Sequence, residues 1–245
     1  MTAPQRVGRV RRGRWAVGSA AVLALLCAGV ATVASAHGDS NGSGTDHRTT
    51  AAGTPSVDSA DAGFARDMAV HHQQAVEMSL VVRDRTRDEE VRRLAYDIVN
   101  TQANQRGMLL GWLDLWELPK AVSGPPMAWM SAGHAEHSMA DMPGMTGEGE
   151  PGTTYRPHDG SLMPGMATRT ELDRLRKASG RTAEVLYLQL MTDHHRGGVD
   201  MARGCAELCA VPAERRLARG MVEAQQSELD AMAGMLSARG AAPRP

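Results

Sequence analysis

The chain has 245 residues, a formal net charge of -1 and 42% apolar residues, of which few are aromatic (3% of the chain). That length gives one or two domains with a buried core, and the scarcity of Phe and Tyr argues against a β-sandwich or barrel. The near-neutral balance excludes recruitment of nucleic acid by bulk electrostatics.

The first 36 residues read as an export signal. Arg6, Arg9, Arg11, Arg12 and Arg14 form a basic start without an acid, an uncharged run follows from Trp15, and Ala34-Ser35-Ala36 has the small-x-small form that signal peptidase cleaves. Cleavage near Ala36 would place the mature chain outside the cytoplasmic membrane. The same 21 uncharged residues, 16–36, would also just span a bilayer, which leaves an N-terminal anchor as the alternative. Loss of the segment removes five Arg and no acid, leaving 22 basic and 28 acidic residues, net -6. An exported chain can form disulfides, and Cys205 and Cys209 are the pair left to do so. Residues 37–57, rich in Gly, Ser, Thr and Asp, read as a flexible tether.

From there the chain repeats. Residues 64–113 align without a gap on 187–236 at a shift of 123 positions, with thirteen identities. They include Met68/Met191, His71/His194, His72/His195, Met78/Met201, Leu94/Leu217, Ala95/Ala218 and Gln102/Gln225. Each copy reads as two helices and a short turn. In copy one (58–118), Asp58 or Ser59 caps a helix running to about Arg85, and Thr86-Arg87-Asp88-Glu89 has the form of a capping box for a second helix that stops before Pro119. In copy two (168–240), Thr168 to Glu171 is another box opening a short helix, a long helix runs from about Arg181 to near Cys209, and Pro212 fits the first turn of the last helix. Four helices of about 38 Å each predict an all-α fold over residues 58–240, a four-helix bundle of two duplicated αα-hairpins.

Between the hairpins, residues 119–167 are dense in Gly, Pro, Met and His. Such composition predicts no packed helix, and a loop of that length in a compact domain is functional or disordered. It holds Met127-x-x-Met130, His134-x-x-His137, Met139-x-x-Met142-x-x-Met145 and Met163-x-x-Met166. Flexible thioether strings wrap a monovalent soft ion with little steric demand. The bland alternative is a low-complexity loop in which Met is incidental, with Met163-Pro164-Gly165-Met166 docking it onto the bundle.

On a helical wheel Phe64, Met68, His71, His72, Ala75 and Met78 share an arc of about 120°, the width of one buried stripe. Copy two repeats this with Tyr187, Met191, His194, His195, Gly198 and Met201. Four inward imidazoles need partners, and a duplicated Met-x-x-His-His is costly without a purpose. Thioethers are soft ligands for copper(I) or silver, and imidazole suits copper in either oxidation state. Met68 lies one turn from His71 and His72. Met78 lies about 10.5 Å beyond His71 along the axis and serves another site, a neighbouring helix or plain core packing. Cys205 shares the face of His194 and Met201 and would be a further soft ligand as a thiolate. A Cys205–Cys209 disulfide needs the helix to have ended between them.

These residues resemble the domain-of-unknown-function family numbered 305 over roughly 58–240. The resemblance rests on Phe64…Met68-Ala-Val-His71-His72-Gln-Gln-Ala75-Val-Glu77-Met78, on Met191-Thr-Asp-His194-His195-Arg-Gly-Gly198-Val-Asp200-Met201-Ala202, on Gln225-Gln226-x-Glu228-Leu229 and on Met163-Pro-Gly-Met166. It implies a ferritin-like four-helix bundle, usually exported, with some members binding copper in bacterial envelopes. The Cys pair departs from the family's pattern.

The residues therefore predict an exported copper(I) or silver chaperone, buffer or resistance factor. Its primary ligands would be His71, His72, His194, His195, Met68 and Met191, with Met78 and Met201 beyond them. A secondary set would lie in the linker: Met127, Met130, His134, His137, Met139, Met142 and Met145. Its partners would be the ion and another copper-handling protein, without nucleic acid, and with a membrane only if the N-terminal segment is retained. A di-iron oxidase needs Glu-x-x-His on its helices; the chain has none, so no enzyme is expected. A non-covalent haem bundle using His and Met and a structural or partner-binding envelope protein are the other readings.

Overall fold

The computed structural model describes residues 53–135 and 155–244. The export segment, most of the tether and the stretch 136–154 lie outside the described residues. Six helices follow in order, α1 (Ala60–Arg85), α2 (Glu89–Leu115), α3 (Ala128–Ala135), α4 (Arg169–Lys177), α5 (Gly180–Leu208) and α6 (Pro212–Ala238). The fold is an all-α bundle in which α1 pairs with α2, α5 with α6, and the two hairpins meet along α1 and α5. Among the described residues no helix is long and apolar enough to cross a membrane.

Local sequence signals set most of the ends. Ser59 Oγ accepts from the Ala62 N–H and starts α1. The Thr168–Glu171 box is complete at α4, and Pro212 opens α6. The box expected at Thr86 is not made. Asp88 caps α2 instead, its Oδ1 accepting from Val91 N at 2.9 Å. Thr86 closes α1; its hydroxyl donates to Glu184 Oε1 at 2.5 Å and accepts from Asp88 N at 3.0 Å, not from the Glu89 N–H that a box would use.

The linker also departs from expectation, because its first part forms α3. Trp129 is the reason: it sits in a notch over Gly63, where a Cβ would come within 2.5 Å of the indole. Its ring meets Phe64 edge-on at 5.8 Å, and its Nε1–H donates to Asp67 Oδ2 at 2.9 Å. One apolar anchor with a paired N–H holds a segment whose composition alone would not pack.

The core falls into two clusters. One gathers Ala75, Met78, Val82, Val91, Ile98, Tyr187, Leu188, Leu190, Met191 and Met232. The other gathers Phe64, Met68, Leu109, Leu113, Trp129, Met163, Met201, Cys205 and Met221. The histidines belong to neither and form a polar layer.

Candidate metal centre

His71, His72, His194 and His195 are all fully buried. α1 and α5 bring His71 and His194 face to face, with ring centroids 3.7 Å apart. The outer helices supply acceptors. His72 Nε2 donates to Gln105 Oε1 of α2 at 2.8 Å, and His195 Nε2 donates to Glu228 Oε2 of α6 at 2.6 Å. Gln105 and Glu228 are themselves related by the 123-residue shift. His194 Nε2 donates to the His71 carbonyl at 2.9 Å.

A carbonyl or a carboxylate only accepts, so these contacts place a proton on Nε2 of His72, His194 and His195; in a neutral ring that leaves the Nδ1 lone pair free. The Nδ1 atoms of His72, His194 and His195 are buried without a partner, as are both ring nitrogens of His71. The Pro164 carbonyl lies beside the His71 ring without completing a hydrogen bond. Burial, reinforced by the neighbouring imidazoles, pushes His71 and His72 down to about 3, and the same causes hold His194 well below its ordinary value. These three rings are neutral at physiological pH, the state in which imidazole binds metal.

The loop before α4 covers this layer. Gly165, at φ +80°, lies against the Asp193 carbonyl, and a Cβ on Gly197 would come within 2.1 Å of the Pro164 oxygen. Gln74 fixes the loop's end reciprocally, its Nε2 donating to the Ala167 carbonyl at 2.9 Å and its Oε1 accepting from Ala167 N at 2.7 Å. On the other side, Gln225 packs where Gly198 has no side chain, and the Oε1 atoms of Gln102 and Gln225 are also buried without a donor.

The eight bundle residues are thus brought to the core, but not to one point. Met68 packs in one apolar cluster and Met191 in the other. Met78 and Met201 lie in the clusters opposite to their own copy's first Met. Among the described residues no three histidines bring ring nitrogens within 4.8 Å of one another. The layer offers imidazoles in pairs, not a ready three-nitrogen cage. Cys205 is not available to it as a thiolate, being bonded to Cys209. The helix ends at Leu208, and Cys209 follows it with extended backbone.

Of the linker residues, Met127 and Met130 are half-buried at the start of α3, packed against the second cluster. His134 lies in α3, its side chain outside the described residues; His137, Met139, Met142 and Met145 lie outside them altogether. Nothing in the sequence marked Gln105 and Glu228 as the acceptors, although Glu228 stands in the Gln225-Gln226-x-Glu228-Leu229 motif. The shift that pairs them was visible, but they are not identical residues and so added nothing to the count of matches.

The sequence profile described as "Domain of unknown function (DUF305)" matches residues 61–236. The chain belongs to the DUF305 family. A DUF305 protein from Streptomyces coelicolor, described as secreted, is 58% identical; its crystal structure matches with a TM-score of 0.65 over 78% of this chain and 99% of its own. A DUF305 fragment from Deinococcus radiodurans is 28% identical over 73% of this chain and 95% of its own, with a TM-score of 0.53. CopM in its Cu(I)-bound form, 18% identical over 72% of this chain and 95% of its own, has the same fold, with a TM-score of 0.50. No curated protein matches the chain.

Proposed function

We propose that this DUF305 protein is an extracytoplasmic copper(I)-binding protein, a chaperone, buffer or resistance factor that also accepts silver(I). The observation that carries the reading is the set of four buried imidazoles whose Nδ1 atoms have no partner while Nε2 of three of them is anchored. An N–H held by an acceptor fixes tautomer and ring orientation, as the outer groups around metal-ligating histidines do. Imidazoles offered in pairs, with Met68 and Met191 one helical turn before them, suit a soft ion content with few ligands. CopM, which has this fold, has been crystallised in a Cu(I)-bound form. Binding rather than catalysis is proposed, because the positions one turn before the first histidines hold Met68 and Met191 where a di-metal oxidase needs Glu. The linker methionines would capture the ion at lower affinity and pass it inward past Pro164.

Competitive titration with copper(I) against a chromophoric chelator tests the reading. The chain should take at least one ion, and His71→Ala with His194→Ala should abolish that binding. Unchanged stoichiometry in the double variant sinks the bundle site. Glu228→Leu, which leaves the His195 Nε2–H without an acceptor, should weaken copper(I) binding about 10- to 100-fold. Glu228→Gln keeps an acceptor and should weaken it less. Equal affinities for the two variants would show that the Glu228 contact does not orient a ligand.

A further inference from the structure

The turn between α5 and α6 holds a second cluster of chemistry, outside the histidine layer. Ligand atoms of Cys205, Cys209 and Glu214 lie mutually within 4.8 Å, the one set of His, Cys, Asp or Glu that close among the described residues. All three are buried. No N–H or hydroxyl reaches either Glu214 oxygen; burial beside Asp61 keeps the carboxyl protonated, and it shares that proton with the Asp61 carboxylate. Asp61 is itself fixed by the Ala210 and Val211 N–H groups at 3.0 and 2.7 Å.

The duplication supplies an internal comparison. At a shift of 123, Cys205, Cys209 and Glu214 correspond to Val82, Thr86 and Val91. Val82 and Val91 are fully buried in the core. The same helix–turn–helix closes with an apolar residue where copy two holds a buried carboxyl set against another acid. Folding of the turn does not require that carboxyl, and burying a polar group is costly where an apolar residue serves. Two sulfurs and a carboxyl converging on one point are the donor set of a thiolate metal site.

We propose that Cys205, Cys209 and Glu214 form a site for a thiophilic divalent ion of the zinc class, closed by the disulfide and opened by its reduction. A thiol reductant supplies two electrons and two protons. The Cys205–Cys209 bond breaks, two protein thiols form, and two reductant thiols leave as their own disulfide. Binding of the ion then releases both thiol protons and any proton on Glu214 to solvent, with no change in the ion's oxidation state. The two thiolates and the Glu214 carboxylate give three ligands. In the oxidised protein the sulfurs are bonded to each other and the site binds nothing. The resulting protein holds two metal sites of different softness, one of which reports the thiol balance of its compartment.

Anaerobic titration of the full chain with cobalt(II), before and after reduction with a phosphine that is then removed, tests this. The reduced protein should take up one cobalt per chain at this site with a thiolate-to-cobalt charge-transfer band in the near ultraviolet, displaced by zinc. The oxidised protein should show no such band. Cys209→Ser should abolish it. Glu214→Val, the residue copy one uses, and Glu214→Gln should each weaken binding at least tenfold. The band should survive in the His71→Ala, His194→Ala variant, which separates this site from the copper reading. A reduced protein without the band, or Glu214 variants that bind cobalt as tightly as the parent, would overturn the proposal.

Discussion

Metal-free protein should lose stability steeply as the pH falls from 6.5 towards 3. His71 and His72 are held neutral down to about 3 in the folded state, and His194 well below its ordinary value. An unfolded chain protonates all three near 6.5. Within that window the unfolded state takes up protons that the folded state refuses, so the stability present above 6.5 is lost as the pH falls. The slope is about 1.4 kcal/mol per pH unit for each histidine. Glu214 acts in the opposite sense, since burial beside Asp61 pushes it up to about 9. The folded state then keeps a proton that the unfolded chain releases above 4.5, and stability declines towards pH 9. Three histidines outweigh one carboxyl below 6.5, and only the carboxyl acts above it, so the melting temperature should peak near pH 6.5. Glu214→Val should flatten the alkaline limb and leave the acid limb in place. A melting temperature that is level between pH 4 and pH 6.5 would mean the histidines are not buried as a neutral layer.

Gly197→Ala should lower stability by about 3 kcal/mol, the upper end of the usual cost of overpacking. In an open helix the same change would raise stability by about 1 kcal/mol, because Ala is the better helix former. The sign therefore tests the packing of the Met163–Met166 loop directly. The added Cβ would stand 2.1 Å from the Pro164 oxygen and 3.2 Å from Gly165 Cα, both of them backbone and unable to yield by a side-chain rotation. The loop must lift from α5 and uncover the histidine layer. A raised melting temperature, with no new protease-sensitive site between Ser161 and Thr168, would show that the loop does not rest there. Faster copper release is expected from the same variant, since the lifted segment lies beside His71.

The bundle and its polar layer were legible in the sequence because both depend on periodicity. A 3.6-residue repeat fixes which side chains share a face, and Phe64, Met68, His71, His72, Ala75 and Met78 are all buried as that repeat requires. Contacts between helices follow no such rule. Whether Met68 meets the ring of His71 or an apolar wall depends on how α1 slides along α5, and the slide sends Met68 and Met191 to opposite clusters. Gln105 and Glu228 were missed for the same reason, lying 33 residues from the rings they hold. α3 escaped notice because one residue, Trp129, decides it, through a notch at Gly63 more than sixty positions away. The Thr86 box failed because the helix starts two residues later: the Thr86 oxygen accepts from Asp88 N, and Asp88 takes the capping position.

The difference between Gln105 and Glu228 has an electrostatic consequence. Two related positions bracket the layer, and one carries an amide where the other carries a carboxylate. A symmetric pair of amides would leave any cation in the layer uncompensated in a medium of low polarity, and a pair of carboxylates would compensate two units of charge. One of each balances a single positive charge. On the reading proposed above, a monovalent ion makes the interior neutral, whereas a divalent one leaves a unit of charge buried at a cost of several kcal/mol. Preference for the cuprous over the cupric state would then follow from charge balance as well as from ligand softness, and Gln105→Glu is the single substitution that would shift that balance.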